Sequence, residues 1–154
     1  MIDLVNRRAF FDSYADTQAS LPPSLTKYGI RFTCPCCGYP TLGARGGYQI
    51  CYLCWWEDDG QDDHNAEEIL GGPNADFSLE RARRNFATFT VMFEPENDRR
   101  ISGGDSPTEL ATKQRVIVAF DSMALQQDVD HETLWAKVIA GEHQLHRLLK
   151  QSIR

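Results

Sequence analysis

All five cysteines of this 154-residue chain fall within residues 31–60, as Cys34, Cys36, Cys37, Cys51 and Cys54. They include two C-x-x-C pairs separated by thirteen residues. A C-x-x-C turn can aim two thiolates at one point, and two such turns brought together complete a tetrahedral four-sulfur shell around a metal ion. Such a shell has no open position for a substrate, so its first reading is structural. In Cys34-Pro35-Cys36-Cys37-Gly38, Pro35 fixes φ at the start of the turn, and Gly38 can take the positive φ that curls the backbone N–H groups toward the sulfurs. Cys51-Tyr52-Leu53-Cys54 is a second turn without a glycine, followed by Trp55 and Trp56. The expected ligands are Cys34, Cys37, Cys51 and Cys54. Cys36 is the spare thiol, either a substitute for Cys34 or Cys37 or a small buried side chain. One structural Zn2+ is the default ion, because it is redox-inert and accepts tetrahedral sulfur, while iron uses the same ligands.

The second group with chemical potential is acidic. Glu57, Asp58, Asp59, Asp62, Asp63, Glu67, Glu68, Asp76 and Glu80 follow one another without a lysine or arginine between residues 57 and 80. Three readings stand: a solvated loop, a surface for a basic partner, or an oxygen-ligand site for calcium or magnesium. The order D-D-G-Q-D-D-H departs from the EF-hand pattern. Glu57, Asp58, Asp59, Asp62 and Asp63 are the residues expected to face a protein partner. Gly71-Gly72-Pro73-Asn74 reads as a tight structural turn rather than a phosphate cradle, since no lysine follows it and its surroundings are acidic. No nucleophile–base pair or other catalytic constellation accompanies these residues. The sequence therefore reads as non-catalytic, with a thiol-redox or metal-dependent enzyme as the reading it must be tested against.

Four ordered blocks, T-C-P-C-C-G, C-x-x-C-W-W-E-D-D-G, G-G-P-N and S-L-E-R-A-R-R-N-F, resemble the bacterial cysteine-rich CPCC family of small zinc-ribbon-like domains over residues 28–93. The resemblance implies metal binding at the cysteines. It implies no catalytic activity, and it does not reach the first twenty-odd residues or the last third of the chain.

Elements must hold these residues in place. Residues 2–18 carry Ile2, Val5 and Ala9 at helical spacing with Phe10 and Tyr14 beside them, predicting an amphipathic helix that Leu21-Pro22-Pro23-Ser24 ends. Residues 28–33 and 47–52 are short and aromatic or β-branched, predicting the strands of a small ribbon, with 42–47 the loop between the two cysteine turns. Ser78 caps a helix whose Leu79, Ala82, Phe86, Phe89 and Phe93 share one buried face, with Arg81, Arg83 and Arg84 around the rest. Ser106-Pro107-Thr108-Glu109 is a capping box opening a helix that buries Leu110, Ile117, Phe120 and Ala124. Asp130 opens the last helix, with Leu134, Val138, Leu145 and Leu149 as its stripe, Gly141 as a break, and His143 and His146 on the solvent side.

The fold class expected is α+β and helix-rich, a small zinc ribbon with amphipathic helices. Its segments are 1–27, 28–94 and 95–154, packed as one domain. A composition 42% apolar supports a core, and no apolar run approaches the roughly 20 residues that span a bilayer. Clustered, odd-numbered cysteines fit a reducing cytoplasm. Net charge −6 disfavours nucleic-acid phosphates and favours a basic partner. Together these features predict a cytoplasmic zinc-binding interaction protein whose acidic face binds another macromolecule, as an immunity protein masks a basic toxin. The alternative is a zinc-ribbon accessory to nucleic-acid machinery, acting through Arg81, Arg83 and Arg84.

Overall fold

A helix forms only where its first N–H groups find acceptors, and the capping side chains written into this sequence supply them. In the computed structural model, which describes residues 1–19 and 29–153, the element order is α1 (Leu4–Ala19), β1 (Phe32–Thr33), β2 (Pro40–Leu42), α2 (Leu79–Phe89), α3 (Pro107–Leu125) and α4 (His131–Ser152). Ser78 Oγ accepts the Arg81 amide at 3.2 Å to open α2. Ser106 Oγ accepts the Glu109 amide at 3.2 Å while Glu109 Oε2 accepts the Ser106 amide at 2.7 Å, closing the capping box of α3. Asp130 accepts the Thr133 amide at 3.2 Å at the start of α4. The fold class is α+β and helix-rich, as the sequence predicts. Among the described residues, no helix is long and apolar enough to cross a membrane.

The chain folds as two compact units. One is residues Leu4–Glu96, the other Met1–Asp3 with Asn97–Arg154. In the first, β1 and β2 pair antiparallel, Phe32 opposite Leu42 and Thr33 opposite Pro40. The strand expected over 47–52 is corrected: these residues form no named strand, but an isolated antiparallel bridge between Ile50 and Glu57 flanked by backbone hydrogen bonds of Tyr48 and Gln49 with Asp58. The reason is local. Each C-x-x-C turn reverses the chain, so the nearest partner of the backbone entering a turn is the backbone leaving it, and the short closure costs least entropy. Tyr28 and the Leu21-Pro22-Pro23-Ser24 stretch lie outside the described residues.

Two helical faces also differ from the periodicity. In α1, Val5 is 75% exposed and Ala9 is exposed, whereas Arg7, Phe11 and Ala15 are buried. Arg7 can lie inward because its guanidinium rests over the rings of Tyr39 and Phe86, at 4.7 and 5.7 Å from their centroids. In α2, Leu79, Ala82 and Phe86 are buried, but Phe89 is 38% exposed and Phe93 is outside the helix. Thr90 takes a left-handed φ of 59° and ends α2 there, so that the Met92 amide can donate to the Cys54 carbonyl at 2.8 Å. Phe93 then packs edge-on against Phe77, ring centroids 5.4 Å apart. The core of this unit also includes Leu42, Leu53, Trp56 and Met92.

In the second unit, α3 and α4 bury Val116, Ile117, Phe120, Met123, Trp135, Val138 and Leu145, with Phe120 edge-on to Trp135 at 5.7 Å. Leu110, expected inside, is 45% exposed; the buried face of α3 begins instead with Thr112 and Lys113. Gly141 does not break α4. A Cβ there would lie 2.3 Å from Val116 Cγ2, so the missing side chain is what lets the two helices approach. Arg100 bridges Asp98, with nitrogen–oxygen distances down to 2.6 Å, and Asp105, which also holds buried Lys113 at 2.6 Å. This chain of charges tethers residues 98–105 to α3.

Candidate metal centre

The two cysteine turns have one hydrogen-bond design. Cys34 N donates to Tyr39 O at 2.9 Å and Gly38 N to Cys34 O at 2.8 Å; Cys51 N donates to Trp56 O at 2.9 Å and Trp55 N to Cys51 O at 2.8 Å. The turns therefore correspond residue by residue: Cys34 to Cys51, Cys36 to Leu53, Cys37 to Cys54, Gly38 to Trp55 and Tyr39 to Trp56. Gly38 has φ 74° and Trp55 φ 69°, so the second turn adopts the left-handed conformation without the glycine that makes it easy. Tyr39 and Trp56, the last members, are both completely buried.

This correspondence is matched by where the thiols lie. Cys34, Cys37, Cys51 and Cys54 are fully buried, and their four sulfurs all lie within 4.8 Å of one another. Cys34 Sγ is 3.6 Å from Cys54 Sγ and Cys37 Sγ 3.7 Å from Cys51 Sγ, far longer than a disulfide bond of about 2 Å. The contacts run between turns, as convergence on one point requires. Cys36 is outside this cluster, buried at the position that Leu53 fills in the other turn. The four clustered thiols are positioned to hold a metal ion.

Burial and hydrogen bonding act on the four thiols in different proportions. Burial pushes the thiols of Cys34, Cys37 and Cys54 well above their usual value. Burial acts the same way on Cys51, but hydrogen bonds from Cys34, Cys37 and Cys54 outweigh it and bring Cys51 well below. Thr41 Oγ1 also donates to Cys51 Sγ at 3.0 Å. Four thiolates in so dry a site would need a cation to balance their charge.

Neighbouring elements clamp both turns. The α1 helix lies on Gly38, where a Cβ would meet Leu4 Cδ1 at 2.8 Å and Arg8 Cγ at 3.2 Å. Behind the second turn, buried Asn74 pairs with the backbone of Glu57 in both directions, donating to its carbonyl at 2.8 Å and accepting its amide at 3.1 Å. The G-G-P-N segment is thus a structural prop, and its proline and asparagine belong to a short 3-10 turn, Gly72–Asn74.

The acidic run does not form the uncompensated surface that its composition suggests. Asp58 is completely buried and accepts the Gly46 amide at 2.6 Å, with Arg45 Nε at 3.4 Å. Asp59 accepts the Gln61 amide at 3.0 Å and Asn74 Nδ2 at 3.2 Å. Asp62 binds Arg8 at 2.7 Å and Arg45 at 2.8 Å, and Asp63 binds Arg8 at 2.6 Å and Arg83 at 2.8 Å. Partial burial raises the pKa of both carboxyls, but the arginines outweigh it and hold them below their ordinary value. Arg83 also donates to the Pro35 carbonyl of the first turn at 2.9 Å, so the ion cluster is joined to the cysteine turns. Glu57 is half-buried, and Glu67 and Glu68 are exposed. Arg81 forks onto Glu94 at 2.8 and 2.9 Å, with Asp76 of the acidic run adding a weaker electrostatic attraction. That hydrogen-bonded pair takes the Glu94 carboxyl down to about 2.

Sequence reasoning passes over Arg8, Arg45, Thr41 and Asn74. The first two come from α1 and the loop between the turns, and no local charge pattern links them to Asp62. Asn74 is signalled only by its place in the G-G-P-N block. The comparison of C-P-C-C-G-Y with C-Y-L-C-W-W, by contrast, already sets Cys36 against Leu53. No curated protein and no solved structure matches the chain. The family model described as Cysteine-rich CPCC matches residues 32–103, which take in both cysteine turns, α2 and the segment after it. The similarity to the cysteine-rich CPCC family is therefore confined to residues 32–103, the stretch built around the four-sulfur cluster.

Proposed function

We propose that Cys34, Cys37, Cys51 and Cys54 hold one structural Zn2+, and that the protein is a non-catalytic binding protein whose partner is basic. The observation that carries this reading is the composition and burial of the cluster: four fully buried sulfurs, with no histidine or carboxylate in the set. A tetrahedral site with Zn–S bonds of about 2.3 Å has sulfur–sulfur edges of about 3.8 Å, and the two closest pairs here are 3.6 and 3.7 Å. Four thiolates close the shell, and a d10 ion in it takes up no electron, so the metal serves folding rather than turnover.

The partner reading rests on net charge −6 and on the carboxylates that, among the described residues, have no arginine against them, chiefly Glu57, Glu67 and Glu68. An immunity protein masking a basic toxin fits that chemistry, in the cytoplasm where thiolates stay reduced. Titration calorimetry of the metal-loaded protein against basic nuclease toxins tests it. Tight binding that weakens with salt and on Glu57→Lys, Glu67→Lys and Glu68→Lys is expected. Affinity indifferent to salt and to all three changes rejects the reading. Asp58, Asp62 and Asp63 are unsuited to such reversal, since their loss would damage the fold.

A further inference from the structure

The second unit contains a site of opposite character. Between α3 and α4 lies a cleft of about 660 Å3, lined by Arg115, Val118 and Ala119 from one helix and Leu134, Lys137 and Gly141 from the other. Ala119 and Gly141 are buried at its base, while Val118 is 61% exposed at its edge. Among the described residues, no carboxylate lines it, in a chain whose net charge is −6. Its charged groups are Arg115 and Lys137. Arg115 is already held in position, donating through one terminal nitrogen to Thr112 Oγ1 and to Gln144 Oε1, both at 3.0 Å, which leaves the rest of its fork for an acceptor.

From this arrangement we infer that the α3–α4 cleft docks an acidic amphipathic helix of a partner protein, its apolar stripe on Val118, Ala119 and Leu134 and its carboxylates on Arg115 and Lys137. The length fits. The lining runs from Gln114 to Ser122 on α3 and from Leu134 to Gln144 on α4, about 12–15 Å at 1.5 Å per residue, or two to three turns of a third helix. Two packed helices leave a groove that a third one fills, read by anchors at i, i+3 or i+4, and i+7. The charge decides between occupants. A second copy related by a two-fold axis would bring this cationic rim against itself, whereas an acidic helix neutralises it. The cleft is independent of the metal site and of the basic partner proposed above.

The probe is a fluorescein-labelled short helical peptide with a leucine stripe flanked by glutamates, titrated by fluorescence anisotropy into the full-length metal-loaded protein. A second peptide carries lysine in place of each glutamate. The glutamate peptide is expected to bind and the lysine peptide to fail. The double change Arg115→Glu and Lys137→Glu is expected to weaken the glutamate peptide by at least about tenfold and to make the lysine peptide the better ligand. That exchange of preference cannot arise from misfolding, and unchanged helical circular dichroism checks the fold. Equal binding of both peptides, binding of neither, or a reversal that shifts affinity less than about twofold overturns the inference. So does decanoate binding without peptide binding, which would make the cleft a small-amphiphile site. Self-association that Val118→Asp abolishes would assign the cleft to a second copy and overturn it equally.

Discussion

Cys36 differs from the other four cysteines in what occupies its place in the second turn, namely Leu53. A position that one turn fills with a thiol and the other with leucine is a packing position. Cys36→Ala is accordingly expected to keep full metal stoichiometry and to cost only about 1 kcal/mol of packing. Cys51→Ser is expected to abolish cooperative folding of the 4–96 unit. Structural zinc is worth on the order of 10–16 kcal/mol in finger peptides, against a net domain stability of about 5–15 kcal/mol. Thermal melts with metal analysis of the two variants check the pair, and the reverse ranking would refute the assignment. At Asp98, partial burial raises the carboxyl pKa, but its hydrogen bonds to Arg100 outweigh that and lower it below its ordinary value of 3.8. A depressed acid stabilises the fold at pH above its unfolded value and loses that contribution as pH falls through the folded one. Asp98→Asn should therefore cost roughly 2 kcal/mol near neutrality, by leaving Arg100 short of a partner, and progressively less below about pH 4. Chemical denaturation at several pH values checks it, and a cost independent of pH would contradict it.

At the scale of elements, what local chemistry dictates could be read in advance, and what depends on distant neighbours could not. The caps at Ser78, Ser106 and Asp130 each satisfy an N–H group three residues away, so sequence alone places the starts of α2, α3 and α4. The inner face of α1 escapes the same reading because Arg7, a charged residue, is buried over Tyr39 and Phe86, which come from other elements. The end of α2 escapes it because Thr90 turns left-handed to let Met92 reach the Cys54 carbonyl, a partner far off in the chain. Strands of two and three residues carry no period to detect. Gly141 shows where a propensity argument reverses. Glycine to alanine inside a helix is ordinarily worth about 1 kcal/mol in favour of alanine. Here the new Cβ would lie 2.3 Å from Val116 Cγ2, and overpacking of that kind costs about 1–3 kcal/mol. Gly141→Ala is thus expected to lower stability by about 1–2 kcal/mol, and Val116→Ala in the same chain to recover part of the loss. A stabilised Gly141→Ala would contradict the close approach of α3 and α4.

At the largest scale, part of the acidic run is answered by arginines distant in sequence. The acidic run from Glu57 to Glu80 reads as one exposed surface because sequence shows only the charges nearby along the chain. Arg8, Arg45 and Arg83 arrive from three separate places to answer Asp58, Asp62 and Asp63, and Arg83 connects them to the first cysteine turn. The ion cluster and the four-sulfur cluster are thereby parts of one folded unit. Removing the metal should release both. In a Trp135→Phe background, where Trp55 and Trp56 alone report, a strong zinc chelator is expected to shift their emission to the red as buried Trp56 meets water. Unchanged emission after complete metal removal would show that the unit stands without its ion. That four cysteines cluster was legible from their spacing and turn residues, because each C-x-x-C turn is a local structure; the arginine answers were not, because they are specified by the fold.

X-ray absorption at the zinc edge of freshly purified, untagged full-length protein tests the closed four-sulfur site most directly. One zinc per chain with four sulfurs at about 2.3 Å and no nitrogen or oxygen neighbour is the result expected. A protein with no stoichiometric transition metal, or a zinc with a water or side-chain oxygen in its shell, would contradict the account.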